Sequence, residues 1–182
     1  MAAVPRSVTW GLLAAWAVHD LEELLTMPAA SRRAAAGLRA RHPRIPERVL
    51  RAVEISPAHA AVAIGMMGGV MAAASFAGAR SGGRSAFYQT ALAGFGWHTV
   101  THLAQSAVLR TYTPGAVTAP LVAAPFAIWA QRRLKAAGVP LRTNDSPGPA
   151  LWLFPATAAA CHLTGHLVTR RLRASRQTAG RS

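Results

Sequence analysis

The sequence predicts an all-α protein: a polytopic membrane helix bundle of about five transmembrane helices, forming one domain over residues 1–182. Three observations carry that expectation. Charged residues make up only 14% of the chain, well below the roughly 25% of an average soluble domain. Five stretches, 8–27, 57–79, 86–109, 111–130 and 150–169, are nearly free of Lys and Arg. Each has about 20 residues or slightly more, the length an α-helix needs to cross roughly 30 Å of hydrocarbon. None of them alternates with the period of two that a strand requires. The 52% hydrophobic content excludes a disordered chain, and the single cysteine, Cys161, excludes a disulfide scaffold. A nucleic-acid partner would explain the +14 charge but not the long uncharged runs, so none is expected.

Taken in order, the first run carries His19, Asp20, Glu22 and Glu23, which a cleavable signal segment would not contain. The following stretch, 31–51, is the longest connection, and its arginines permit a short amphipathic surface helix. The second run is rich in alanine and glycine, including Gly65, Gly68 and Gly69, which let helices approach closely. The third contains Gly94 and Gly96 for the same purpose. Pro114, Pro120 and Pro125 interrupt the fourth, so a kinked or partly re-entrant segment is expected there. The fifth leads into a basic, flexible tail, 170–182. Trp10, Trp97, Trp129 and Trp152 suit interfacial or packing positions, and Trp97, beside His98, is a candidate for a pocket wall.

Lys and Arg divide unequally among the connections. With five spans, seven fall on the side of the N-terminal stub and thirteen on the other. The positive-inside bias places the N-terminus outside and the C-terminus in the cytoplasm.

Ionisable groups inside hydrophobic runs are costly and usually functional. His19, Glu22 and Glu23 are related as i, i+3 and i+4, so they share one helix face. Asp20 is expected to point away from them, in a capping or solvated role. His98 and His102, and again His162 and His166, are i, i+4 pairs, a spacing at which two imidazoles reach one metal ion. Counted from Ser7, Ala86 and Ala150, the first histidine of each odd-numbered run comes twelve residues later, at His19, His98 and His162, which implies a common depth. Seven ligands, His19, Glu22, Glu23, His98, His102, His162 and His166, are therefore expected in one layer. Glu22 and Glu23 are the catalytic candidates. Glu54 and His59, flanking Pro57, and Gln105 are possible additions; Thr101 and Gln105 are placed to bond to the imidazoles. His42 is read as solvated, Cys161 as small apolar filling, and 81–84 as an interspan turn rather than a phosphate loop.

The His19-Asp20-Leu21-Glu22-Glu23 sequence in an apolar helix, followed by intramembrane His-x-x-x-His pairs, resembles the HxxEE-motif family of small bacterial integral membrane proteins. The resemblance implies a bacterial plasma-membrane protein that binds metal through His19, Glu22 and Glu23. It implies no reaction.

Histidine and carboxylate without thiolate suit iron, manganese or zinc. Five imidazoles and two carboxylates are about right for two ions, and di-metal sites in helical bundles use Glu and His at i, i+3 spacing. The leading expectation is a membrane non-haem di-iron oxygenase, hydroxylase or desaturase. It would act on a lipophilic substrate among membrane lipids, with Glu22 or Glu23 bridging the irons and a separate reductase donating electrons. A second reading holds one zinc ion on three histidines, with a glutamate as general base for hydrolysis. A third is a metal or haem carrier, or a transporter.

Overall fold

A computed structural model describes residues 3–141 and 148–179 of the chain. All regular structure among them is helical: α1 (Arg6–Arg41), α2 (Glu47–Val53), α3 (Pro57–Arg80), α4 (Ala86–Leu109), α5 (Ala124–Ala136) and α6 (Gly148–Ala179). A π-helical turn, Ala119–Ala123, leads directly into α5. The five apolar runs thus correspond to α1, α3, α4, α5 and α6, and the arginine-rich connection contains the short helix α2. Arg142, counted in the fourth connection, lies outside the described residues, as do 180–182 of the tail. Tail residues 170–179 continue α6 rather than leaving it.

Two boundaries differ from expectation. α1 does not end with its apolar run but passes through Pro28 to Arg41, 36 residues in all and about 54 Å long. The alanines after Pro28 favour helix strongly enough to carry the basic segment along. Ser31 Oγ donates to the Pro28 carbonyl at 3.1 Å and accepts from Ile55 N–H at 2.9 Å. This clamps the start of α3 against α1. The exposed Arg39–Glu47 pair, at 2.7 and 2.8 Å, ties α2 to the same helix.

The second difference concerns the fourth run. Residues 111–117 form turns, not helix. Proline supplies the physical reason: Pro120 and Pro125 lack an N–H and crowd the carbonyls four residues back. The backbone slips to i→i+5 bonding, as in Ala124 N–H to Ala119 O, before an α-helix resumes.

The other helix starts are encoded locally. Ser56 caps α3 by accepting from His59 N–H at 3.2 Å, with Pro57 in the first turn. Ser85 caps α4 by accepting from Tyr88 N–H at 3.3 Å. Between them, Gly82 and Gly83 take positive φ, +58° and +82°, conformations that favour glycine.

α3 lies against α1, α4 and α6, and α4 contacts α6, α5 and the π-turn. The core occupies one half of this bundle: Val8, Leu12, Met71, Tyr88, Leu92, Phe95 and Leu134 are nearly or wholly inaccessible. Tyr88 fills the space left by Gly78, where a β-carbon would stand 2.6 Å from its ring. Its hydroxyl donates to the Val8 carbonyl at 2.6 Å, joining α4 to α1. Tyr88→Phe is expected to cost about 1 kcal/mol, readable as a lower midpoint in a thermal melt with the helical spectrum unchanged.

Among the described residues one helix, Pro57–Arg80, is long and apolar enough to cross a membrane. The acids of α1 and the histidines and glutamines of α4 make those helices more polar, and α5, with 13 residues, is too short. The residues that interrupt the apolar runs are those that gather in the other half of the bundle.

Candidate metal centre

His19 and Glu23 stand one turn apart on α1, and His98 and His102 one turn apart on α4. The contact between the two helices brings four ligand atoms within 4.8 Å of one another. His102 is the hub. Its Nε2 lies 2.8 Å from His98 Nε2, 3.3 Å from His19 Nε2 and 3.1 Å from Glu23 Oε1. Glu23 Oε1 is 3.9 Å from His19 Nε2 and 4.0 Å from His98 Nε2. His19 is fully buried, and Glu23 and His102 are nearly so.

The protonation of two of these rings follows from their other nitrogens. Glu22 lies beside the cluster but turns out of it. Its carboxylate accepts from the Thr118 hydroxyl at 2.6 Å, Thr118 N–H at 2.8 Å, Val117 N–H at 3.3 Å and the Tyr112 hydroxyl at 2.6 Å. A carboxylate only accepts, so the Thr118 proton points at Glu22. The Thr118 oxygen is then left to accept from His19 Nδ1–H at 2.8 Å. Likewise the Thr101 hydroxyl donates to the His98 carbonyl at 2.7 Å and takes His98 Nδ1–H at 3.4 Å. Both imidazoles therefore aim an Nε2 lone pair into the cluster.

Those two lone pairs and the Glu23 carboxylate surround His102 Nε2, which can carry at most one proton for three acceptors. Among the described residues His102 Nδ1, which is buried, finds no hydrogen-bond partner. A cation would balance such a convergence of acceptors. Nitrogens about 2.1 Å from one ion stand roughly 3.0 Å apart at a right angle and 3.4 Å apart in a tetrahedron. The two contacts at His102, 2.8 and 3.3 Å, fall close to that range. The residues fit a divalent metal ion.

Gly115 closes the site from the loop. It has φ +81°, and a β-carbon there would stand 2.7 Å from His102 Cε1 and 2.9 Å from His19 Cε1. Thr118 serves as a positioning residue: the Glu22–Thr118–His19 chain fixes the ring and its tautomer, as outer-shell carboxylates do at metal histidines. Thr118→Val is expected to weaken metal binding about 10-fold to 100-fold without removing a ligand. Competition with a chromophoric chelator measures it.

The seven expected ligands thus separate. His19, Glu23, His98 and His102 meet; Glu22 supports His19 through Thr118. His162 and His166, on α6, face His59 of α3 instead. His162 Nδ1 is 3.3 Å from His59 Nε2. The common depth inferred for the first histidine of each run holds for His19 and His98 as partners, whereas His162 is drawn to α3 by the α3–α6 contact. Glu54, at the end of α2, and Gln105, on the outer face of α4, are exposed and join neither group.

A cavity of about 270 Å³ lies between the two groups. Glu23 and His98 reach it from one side and His162 from the other; Trp16, Met67 and Phe154 supply apolar wall. Asp20 also lines it and is buried, not solvated. Positions 16, 20, 23 and 27 form one helical face, so Asp20 shares a side with Glu23 at i+3. Trp97 is exposed and not part of this wall; Trp16 is the tryptophan that is. Cys161 is buried against the cavity.

Reading from sequence missed Gly115, Thr118 and Tyr112. Their signal is the hydroxyl-rich turn at 111–118, in which a glycine follows Pro114, but an apolar run had absorbed it.

Fold and site define a helical protein with a buried three-histidine, one-glutamate centre suited to metal. Over residues 10–130 the chain matches the family described as protein of unknown function with HXXEE motif, and it belongs to that family. The naming motif is His19-Asp20-Leu21-Glu22-Glu23, which supplies one ligand pair and its supporting carboxylate. Neither the curated proteins nor the solved structures contain a match.

Proposed function

We propose that the protein is an integral-membrane, metal-dependent enzyme acting on a small lipophilic substrate, an oxidoreductase with iron at the His19–Glu23–His98–His102 centre. The observation that carries this reading is the ring of acceptors around His102 Nε2, open through His98 and Glu23 onto a largely apolar cavity. Glu22 is committed to Thr118 and Tyr112, so Glu23 alone provides a carboxylate. That supports one ion at this centre rather than the carboxylate-bridged iron pair expected from sequence. Iron held by these four side chains would supply redox chemistry to a substrate in the cavity.

The chain's own groups do the rest. The Glu23 charge offsets that of a cation, the Thr118 and Thr101 hydroxyls hold the His19 and His98 rings, and Trp16, Met67 and Phe154 exclude water and align an apolar chain. Electrons come from a separate reductase.

The outward faces support the membrane setting. Leu25 is 72% exposed, Phe76 52%, Val108 80%, Leu121 71%, Trp152 77% and Leu163 58%. Large apolar side chains bared on every long helix suit lipid rather than water. The bacterial plasma membrane, with the N-terminus outside and the arginine-rich end of α1 in the cytoplasm, agrees with the basic residues collecting at that end.

A second reading, a zinc hydrolase, draws on one distance pattern. Glu23 stands 3.1 Å from His102 Nε2 but 3.9 and 4.0 Å from the His19 and His98 nitrogens, the more distant member of the group toward two of its three neighbours. With zinc on the imidazoles, Glu23 is placed as a general base toward water in the cavity. Haem does not suit the site: the nitrogens lie closer than two axial ligands facing each other across a porphyrin.

The test is anaerobic purification in detergent from a salt-washed and alkali-washed membrane fraction, followed by metal analysis and an absorption spectrum. Iron that is lost on His98→Ala supports the first reading. Zinc without iron transfers support to the second. A chain that washes off the membrane, or carries no metal, contradicts the proposal.

A further inference from the structure

His59, His162 and His166 are not used by the centre described above. Three observations set them apart from ordinary packing histidines. The first is their spacing. The His59 ring centroid lies 5.4 Å from that of His162 and 6.0 Å from that of His166. Within the central site the corresponding separations run from 4.2 to 5.8 Å. The second trio is wider, its ligand atoms do not all come within 4.8 Å as the central four do, and closing it on one ion takes a rotation of the His166 ring. His162 Nδ1 and His59 Nε2, 3.3 Å apart, repeat the His19–His102 nitrogen distance.

The second is Gly165, which lies between the two histidines of α6. A β-carbon there would stand 2.7 Å from His59 Cδ2 and 2.9 Å from the His59 carbonyl oxygen. The missing side chain is what lets His59 sit against the face that carries His162 and His166. Gly115 plays the same part toward His19 and His102. The third is Asp20. It is buried, makes no hydrogen bond or ion pair among the described residues, and faces the cavity that His162 lines. A buried carboxylate without a partner is costly, and a cation on the opposite wall offsets that cost.

We propose that His59, His162 and His166 form a second metal site for a borderline divalent ion such as Zn²⁺, across the cavity from the first, with Asp20 on the wall of that same cavity. Three neutral imidazoles on two helices are a sufficient protein ligand set for such an ion. The protein then holds two ions at separate stations rather than a bridged pair, and a bound substrate lies between them.

The experiment uses zinc alone. Detergent-purified full-length protein is stripped with a chelator, reloaded with Zn²⁺, passed through a desalting column and assayed for metal. About two ions per chain are expected for the unaltered protein. The His162→Gln/His166→Gln variant is expected to hold one, and the His98→Gln/His102→Gln variant one. Gly165→Ala, which pushes on His59 without removing any imidazole, is also expected to fall to one. A His59→Gln variant serves the same purpose if the α6 double variant fails to fold. One ion in the unaltered protein, retained in the α6 variant, would overturn the second site and leave the first standing. Two ions retained in the α6 variant would overturn it as well. Two ions retained in the α4 variant would instead overturn the central site.

Discussion

Replacing His102 with alanine is expected to lower metal affinity at the central site by more than about 100-fold, beyond the loss typical of an outer-shell partner. His102 Nε2 is the atom that every other ligand approaches, at 2.8, 3.3 and 3.1 Å. Its removal leaves His19 and His98 on different helices with no shared neighbour except Glu23, 3.9 and 4.0 Å away. The fold is expected to survive, because the apolar core around Tyr88 and Leu92 lies in the first half of α4, before His98. Isothermal titration with zinc, beside a circular dichroism spectrum, separates the two effects. Unchanged affinity in a folded variant would remove His102 from the centre.

Gly115→Ala should be almost as damaging although it changes no ligand. A left-handed alanine costs about 1–2 kcal/mol, and here the new methyl also meets two imidazoles at 2.7 and 2.9 Å. Relief requires either the 111–118 turn to retreat, taking Thr118 from His19 Nδ1, or the rings to rotate and spoil the convergence. Both routes weaken metal binding, by an expected 10-fold to 100-fold, and both lower the melting midpoint. A variant with the metal affinity and midpoint of the unaltered protein would show that the loop does not brace the site.

These two residues mark what the amino-acid sequence discloses and what it hides. The i, i+4 pairs at His98 and His102, and at His19 and Glu23, are legible because a helix fixes which side chains share a face. Which pair meets which is a matter of helix packing, and spacing along the chain does not encode it. His162 and His166 have the same signature as His98 and His102, yet they turn to His59 because α6 lies against α3.

Glu22 shows a second limit. It shares a face with His19 as well as Glu23 does, but a loop ninety residues away presents hydroxyls and amides to it, and those bonds decide its role. Asp20 departs from expectation for a simpler reason: it points away from His19 but, at i+3, shares a side of the helix with Glu23. The loop was missed because an apolar run with three prolines reads as a kinked helix, whereas the chain spends its first residues on turns.

Hydropathy has a related ambiguity. The polar groups of α1, α4 and α6 lower the apolar character of those helices, so among the described residues α3 alone stands out by length and composition. The bare leucines, valines and phenylalanines on the outer faces distinguish the helices more clearly than an average over each helix does. Large apolar side chains are thus found both in the buried core, at Leu12, Met71 and Phe95, and on the outer faces, at Leu25, Val108 and Trp152.

The most direct test of the central claim is X-ray absorption at the metal edge, on protein loaded with one equivalent of ion in the His162→Gln/His166→Gln background. The arrangement of His19, Glu23, His98 and His102 predicts nitrogen and oxygen neighbours at about 2.0–2.2 Å, with the outer-shell scattering of about three imidazoles. His102→Ala should remove that signature. A spectrum with sulfur neighbours, without imidazole scattering, or identical in the His102→Ala protein would contradict a metal centre at these four residues.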